Sequence, residues 1–103
     1  MSMIANDLEP FHATHPGEIL RDELEYRELT QRELSERTGI AYSQLKDIVD
    51  CKRDISMEAA MLIGAALDIN PETLLNMQLR YNVHTVRRNP SFMERLSSIR
   101  RTH

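Results

Sequence analysis

The sequence of 103 residues contains no tryptophan, a single cysteine, three glycines and four prolines, and its net charge is −3. One cysteine excludes an internal disulfide, which favours the reducing cytoplasm as the location of the protein. No apolar run approaches the roughly 20 residues that span a bilayer, so we expect no membrane partner. The N-terminus has no basic segment followed by an apolar one, and no secretory signal is predicted.

The residues that usually carry catalysis or bind metals form no recognisable pattern. The four histidines and the cysteine have no metal-ligand spacing such as CxxC or HxxxH, and no glycine-rich phosphate loop is present. We therefore expect no metal, no cofactor and no enzymatic activity. Nothing near Cys51 would lower its thiol pKa, which favours a structural role over a nucleophilic one.

The charges are unevenly distributed along the chain. Residues 1–29 carry seven acidic and two basic side chains, residues 30–56 carry five of each, and residues 81–103 carry five basic and one acidic. The low total charge predicts weak non-specific binding to DNA, because that binding scales with the phosphates neutralised. A locally neutral or basic face can still exist.

Helix signals follow one another along the chain, and no stretch has the alternation typical of a strand. Pro16 begins helix 1, which reaches about Arg27. Thr30 and Glu33 match a capping box at the start of helix 2, and Gly39 terminates that helix. Four more helices are predicted: helix 3 from Ala41 or Tyr42 to Asp50, helix 4 after Ser56, helix 5 from Pro71 to Asn82, and helix 6 after Asn89 to about Arg101.

The gap between helices 2 and 3 is only about three residues around one glycine, which is typical of a helix-turn-helix. The small Ser35 allows the two helices to approach closely. Leu34, Ile40, Leu45 and Ile48 are predicted to face inward, so that the opposite side of helix 3 is left polar.

In a helix-turn-helix the second helix enters the major groove of double-stranded DNA by its N-terminal part. The predicted DNA-binding residues are Gln31, Ala41, Tyr42, Ser43, Lys46, Asp47, Lys52 and Arg53.

Each of these side chains suits a particular contact. Lys46 can reach guanine O6 or N7, Asp47 can accept from a cytosine amino group, and Ser43 is adaptable. Tyr42 suits a phosphate or a thymine methyl group. Gln31, together with Lys52 and Arg53, suits backbone phosphates. The alternative is an ordinary solvated face, and Asp47 and Asp50 favour it because carboxylates repel phosphates.

Four segments together resemble the HigA-type, or VapI-type, antitoxins of the Xre/Cro-like helix-turn-helix superfamily. They are "HPGEIL", "LTQRELSERTGI", "IVDCKRDIS" and "AAMLIGAALDINPETLLNMQLRYNV". The resemblance covers about residues 15–83. It implies a five-helix, lambda-repressor-like domain that forms a homodimer and binds a palindromic operator in its own promoter. It also implies neutralisation of a HigB-type toxin, a RelE-like ribonuclease that cuts messenger RNA on the ribosome.

The resemblance divides the chain into an N-terminal arm (1–14), the helix-turn-helix domain (15–83) and a C-terminal extension with an additional helix (84–103). It implies a dimer seam on helix 5, around Leu74, Leu75, Leu79 and Tyr81. The additional helix either docks the toxin or second subunit, or folds back on its own domain. The acidic N-terminal third could hold a basic ribonuclease by complementary charge.

The chain departs from the family pattern at the recognition helix. Asp50 and Cys51 stand where the family usually has Asn-Gly, and a positive φ at Cys51 would cost about 1 kcal/mol relative to glycine. Ala41 stands where Ser or Thr often caps helix 3, at a cost of about 1 kcal/mol. Two other functions fit the sequence: a stand-alone Xre-type regulator without a toxin, and a protein-interaction module that has lost DNA binding.

Overall fold

A computed structural model describes residues 13–102, and every regular element in this part of the chain is a helix. The helices are α1 (Pro16–Tyr26), α2 (Gln31–Thr38), α3 (Tyr42–Val49), α4 (Met57–Leu67), α5 (Pro71–Arg87) and α6 (Pro90–Arg101). The predicted all-α class, five helices followed by an additional C-terminal helix, is confirmed. Residues 1–12 of the predicted N-terminal arm lie outside the described residues.

Local sequence signals explain where the helices begin. Five of the six have a side-chain cap that accepts a hydrogen bond from the first turn, and Ala41 before α3 is the exception. At α2, Thr30 and Glu33 form the predicted capping box, and the hydrogen bond from the Thr30 backbone lowers the pKa of Glu33. The caps supply acceptors for amides that have no partner within their own helix. The five capping side chains are His15, Thr30, Ser56, Asn70 and Asn89.

The core lies between α1, α2, α3, α4 and the first half of α5. Its buried aliphatic side chains include Leu20, Leu24, Leu34, Ile40, Leu45, Ile48, Val49, Ile55, Ile63, Leu67 and Leu74. The expectation that Leu74 belongs to a dimer seam is therefore wrong, because this side chain is completely buried in the core of its own chain. Leu79, from the same predicted seam, is 60% exposed.

Helix α5 is longer than predicted and ends at Arg87 instead of Asn82. No stop signal occurs before the Asn89-Pro90 pair, and His84 and Arg87 are basic residues in its last turn, where they complement the helix dipole. The predicted division between residues 83 and 84 falls inside this helix, and the division into domains stays a prediction. Helix α6 packs against α5, and none of the residues of α6 is buried.

Helices α1 and α3 meet at a point where only glycine fits. A Cβ atom on Gly17 would overlap the backbone carbonyl oxygen of Ile48 and would lie 3.0 Å from that of Val49. The absence of a side chain thus lets the start of α1 rest on the C-terminal end of α3. Arg21, one turn further along α1, donates to the Val49 carbonyl at 3.0 Å.

His15 joins three parts of the fold. Its Nδ1 accepts from the Gly17 amide at 2.9 Å, and its ring lies edge-on to that of Tyr81 on α5, with 4.9 Å between centroids. Burial lowers the pKa of His15, whereas the Asp54 carboxylate and a backbone hydrogen bond with Arg53 oppose the shift in part. The ring is therefore neutral, with its proton on Nε2, since Nδ1 is already an acceptor.

We expect Gly17→Ala and Gly39→Ala to differ strongly in stability. The Gly17 substitution forces atoms into overlap and is expected to cost about 3 kcal/mol of unfolding free energy. Gly39 has a φ of 79° with open space around it. Its substitution is expected to cost only the left-handed penalty, about 1 kcal/mol. Urea unfolding of both variants measures the difference, and equal losses would contradict the close approach of α1 and α3.

We expect His15 to contribute a pH dependence to stability. Its folded-state pKa lies below the unfolded value of about 6.5, so the unfolded chain binds the additional proton first. The contribution of His15 to the free energy of unfolding is complete when the pH is above the unfolded-state pKa. It is lost as the pH falls toward the folded-state pKa. In His15→Asn, the asparagine Oδ1 can still accept a hydrogen bond at the start of α1, but the side chain no longer titrates. Unfolding free energies between pH 7 and pH 5 should fall more steeply in the unsubstituted protein, and parallel curves would contradict this assignment.

Candidate nucleic-acid interface

Helices α2 and α3 are held at a fixed angle by hydrogen bonds within the turn between them. The Ser35 hydroxyl donates to the Ile40 carbonyl at 2.6 Å, and the Thr38 hydroxyl accepts from the Ile40 amide at 3.2 Å. Gly39 takes the left-handed conformation that ends α2. Ser35 thus does more than the close approach predicted for it, because its side chain also fixes the turn. The buried Ile40 then anchors the start of α3 in the core.

The two sides of α3 differ completely in exposure. Leu45, Ile48 and Val49 have no exposed surface, whereas the start of the helix and its polar side face solvent. The exposed residues of this side are Ala41, Tyr42, Ser43 and Lys46. The geometry that the helix-turn-helix interpretation requires is therefore present: an exposed polar ridge on a helix fixed from behind.

Tyr42 is 37% exposed, and the guanidinium carbon of Arg32 on α2 lies 4.6 Å from the centre of its ring. This cation–π contact orients the tyrosine and adds a positive charge from α2 to the same surface. Arg32 was not among the predicted site residues. Its position two residues after the cap of α2 is the signal that could have identified it.

Charged side chains at the C-terminal half of α3 are paired within the chain. Lys46 Nζ lies 2.8 Å from Asp50 Oδ2, and Arg21 Nη2 lies 3.6 Å from Asp50 Oδ1. Arg53 Nη2 lies 3.7 Å from Asp47 Oδ2. The hydrogen bond between Lys46 and Asp50 raises the pKa of the lysine and lowers the pKa of the aspartate. Both groups are therefore charged at neutral pH.

The segment after α3 turns sharply at Cys51, which has a φ of 64°. Its amide donates to the Ile48 carbonyl at 3.0 Å, and the Lys52 amide donates to the Asp47 carbonyl at 2.8 Å. These two bonds form a Schellman motif, in which glycine is the usual left-handed residue. The penalty of about 1 kcal/mol for a side chain at this position therefore applies. Burial raises the pKa of the Cys51 thiol, which agrees with a structural role.

A buried polar network fixes the path of the chain after Arg53. The Gln78 side chain on α5 accepts from the Ile55 amide at 2.8 Å and donates to Asp54 and Asn82, each at 3.1 Å. Asn82 in turn donates to Asp54 at 3.0 Å. Because Gln78 is only 5% exposed, these bonds form in a partly dry environment, where they are strong.

The network was missed at the sequence level, although one signal was available. Gln78 lies four residues after Leu74 on the buried side of α5, where a polar side chain requires partners. Together with His15, it holds the segment that carries Lys52 and Arg53, both of which are exposed. These two cations are therefore presented beside α3 by a rigid support.

Gln31, the remaining predicted residue, is half-buried at the start of α2. Its Oε1 atom is buried and has no hydrogen-bond partner among residues 13–102. The structure thus brings Ala41, Tyr42, Ser43 and Lys46 onto one exposed ridge and supports Lys52 and Arg53 beside its end. That these residues bind DNA stays a prediction.

Residues 13–102 contain neither a membrane-spanning helix nor a cluster of metal ligands. No helix there is both long and apolar enough to cross a membrane. The same residues contain no group of three or more histidine, cysteine or acidic side chains suited to holding a metal ion.

Comparison with known proteins agrees with this geometry. Residues 18–79 match the Cro/C1-type HTH DNA-binding domain. The Pseudomonas aeruginosa antitoxin HigA, solved with the higBA promoter, is 32% identical to this chain, with a TM-score of 0.69. The match covers 72% of this chain and 82% of the antitoxin chain. PA4674 from Pseudomonas aeruginosa, solved with its 28-bp operator DNA, has the same identity, coverage and TM-score.

A HigA-family addiction module antidote protein from Coxiella burnetii has a TM-score of 0.73 over 82% of this chain and 95% of its own. At 24% identity, it shows only that the fold is shared. An uncharacterized HTH-type transcriptional regulator from Haemophilus influenzae is 28% identical over 88 residues, which are 84% of this chain and 82% of the relative. The predicted resemblance to HigA antitoxins is thereby confirmed, and the chain belongs to the family of Cro/C1-type helix-turn-helix DNA-binding domains.

Proposed function

We propose that this protein is a cytoplasmic antitoxin that represses its own operon. In this proposal a homodimer binds a palindromic operator in the promoter, and the protein neutralises a HigB-type toxin, a RelE-like ribonuclease that cleaves messenger RNA. It acts by binding and carries out no catalysis. The DNA-binding part of this proposal rests on one observation, the exposed polar ridge of α3. The opposite side of the helix is aliphatic and buried, and two exposed cations lie beside the ridge.

Base reading is assigned to the ridge. Lys46 donates to guanine O6 or N7, and Asp47 accepts from a cytosine amino group. Ser43 can donate a hydrogen bond to one base or accept one from another, because its hydroxyl does both. Tyr42 contacts a phosphate or a thymine methyl group. Ala41 is the residue before α3, makes no side-chain hydrogen bond to its first turn, and is assigned to the same surface.

Phosphate binding is assigned to the flanks. Lys52 and Arg53 lie in the segment that Gln78 and His15 hold in place, so little ordering entropy is lost when they meet the DNA backbone. Gln31, at the start of α2, can donate from its Nε2 amide to a phosphate oxygen.

The second subunit is proposed to pack against α5 and α6. These helices form an apolar groove, and the exposed Leu79 continues it along α5. An uncovered apolar surface of this kind marks an interaction site. A dimer of this type would place its two α3 helices in successive major grooves, about 34–36 Å apart. The groove is lined by Asn82, Val83, Val86, Arg87, Phe92, Met93 and Leu96.

A stand-alone transcriptional regulator is the second candidate, favoured by the description of the Haemophilus influenzae relative as an HTH-type transcriptional regulator. The two candidates share the DNA-binding surface and differ in the partner. For the antitoxin we favour contacts from α1, whose exposed acidic residues complement a basic ribonuclease. Those residues are Asp22 and Glu25 on α1, together with Glu28 in the turn that follows it.

The double variant Lys46→Ala/Lys52→Ala is expected to abolish retardation of a duplex carrying the protein's own promoter. It removes one base-reading cation and one phosphate-binding cation. The lost phosphate contact of Lys52 alone reduces the salt dependence of log K by about 0.9 per subunit. The matched control is Arg27→Ala/Arg88→Ala, which loses the same charge from exposed positions outside α3 and outside the lining of the apolar groove. Equal weakening by both double variants would contradict recognition by α3.

Expression of the adjacent open reading frame separates the antitoxin from the stand-alone regulator. We expect that frame to encode a small basic ribonuclease that stops growth alone, and we expect co-expression with this protein to restore growth and to give a complex on co-purification. Replacement of Asp22, Glu25 and Glu28 by their amides should weaken the complex without changing operator retardation. A neighbouring gene product that neither stops growth nor co-purifies would favour the stand-alone regulator.

A further inference from the structure

The recognition surface carries its own anions. Asp50, the residue that follows α3, contacts Lys46 at 2.8 Å and Arg21 at 3.6 Å, and Asp47 contacts Arg53 at 3.7 Å. The Asp50 side chain is 25% exposed, whereas those of Lys46 and Arg21 are 52% and 58% exposed. The carboxylate therefore lies between two cations, of which Arg21 also donates to the Val49 carbonyl at 3.0 Å and Lys46 lies on the exposed ridge of α3.

We infer that Asp50 is a specificity-determining residue, which suppresses binding to non-specific DNA by holding Lys46 in a competing ion pair. This inference rests on the proposed DNA-binding function of α3. It assigns to Asp50 no direct contact with a base. The residue acts on recognition through Lys46, the cation that it holds.

Helix stability does not account for an aspartate at this position. A negative charge at the C-terminal end of a helix interacts unfavourably with the helix dipole. The order of the pair, with Lys46 four residues before Asp50, is also the less favourable one for a salt bridge along a helix. The carboxylate is stabilised mainly by Lys46, and this lysine lies on the surface proposed to face DNA.

The competition affects operator and random DNA differently. On random DNA, Lys46 would gain only a phosphate contact, which replaces an existing ion pair while Asp50 repels the duplex. At the operator, Lys46 can hydrogen-bond to guanine O6 and N7, and this base contact offsets the loss of Asp50. The aspartate thus lowers affinity for random DNA more than it lowers affinity for the operator.

Asp50→Asn tests the inference, because the amide keeps the shape of the side chain and removes its charge. We expect affinity for a random-sequence duplex at low salt to rise about tenfold, and the salt dependence of log K to steepen by about 0.9 for one released cation. Operator affinity should rise less, so that the ratio of operator to random affinity falls. The control Asp22→Asn makes the same charge change at an exposed position on α1 and should leave that ratio unchanged.

A double-variant cycle identifies the route of the effect. In a Lys46→Ala background, Asp50→Asn should raise random-DNA affinity far less, because the cation that it releases is missing. Thermal melting of each variant confirms that the fold is retained. Reduced operator affinity in Asp50→Asn with unchanged random affinity would overturn the inference, because Asp50 would then read a base itself. Unchanged affinities for both duplexes would also overturn it. If the unsubstituted protein fails to retard its own promoter, the proposed function fails instead.

Discussion

The contact between the start of α1 and the end of α3 determines where the surface proposed to face DNA lies. Gly17 has no side chain, so the backbone of α1 can rest directly on the carbonyl groups of Ile48 and Val49. Arg21 reinforces the contact by donating to the Val49 carbonyl. Because the apolar side of α3 is fully buried against the core, this contact fixes the helix along its axis as well as in its rotation. The opposite side is left as a rigid, exposed ridge.

A second support continues from that contact toward α5. His15, Gln78 and Asp54 connect the start of α1, the segment after α3 and the middle of α5. Buried polar networks specify one arrangement when all of their members are paired, because an unpaired member is costly. This support presents Lys52 and Arg53 in fixed positions. The aspartates on the same surface hold its cations in internal pairs, and in the proposed function these pairs weaken general attraction to DNA and leave sequence-dependent contacts as the main source of affinity.

Features encoded by neighbouring residues could be predicted from the sequence, and features that join distant residues could not. The capping box at Thr30 and the turn at Gly39 were correct because their signals lie within a few residues. The contact from Arg21 to Val49 and the network around Gln78 join residues 28 and 24 positions apart, and no local pattern encodes them. Leu74 was assigned to the wrong surface, because an aliphatic stripe on a helix fits a core and a subunit interface equally well.

The central claim is that the ridge of α3 and the segment after it face a DNA duplex. The chain contains two lysines, Lys46 and Lys52, and they lie at these two places. Acetylation of both side chains, followed by mass spectrometry with and without a saturating promoter duplex, therefore probes the claim directly. We predict that the duplex slows modification of both lysines about tenfold or more, as expected for amines buried against phosphates and bases. Unchanged rates at both lysines in the DNA-bound protein would contradict the claim.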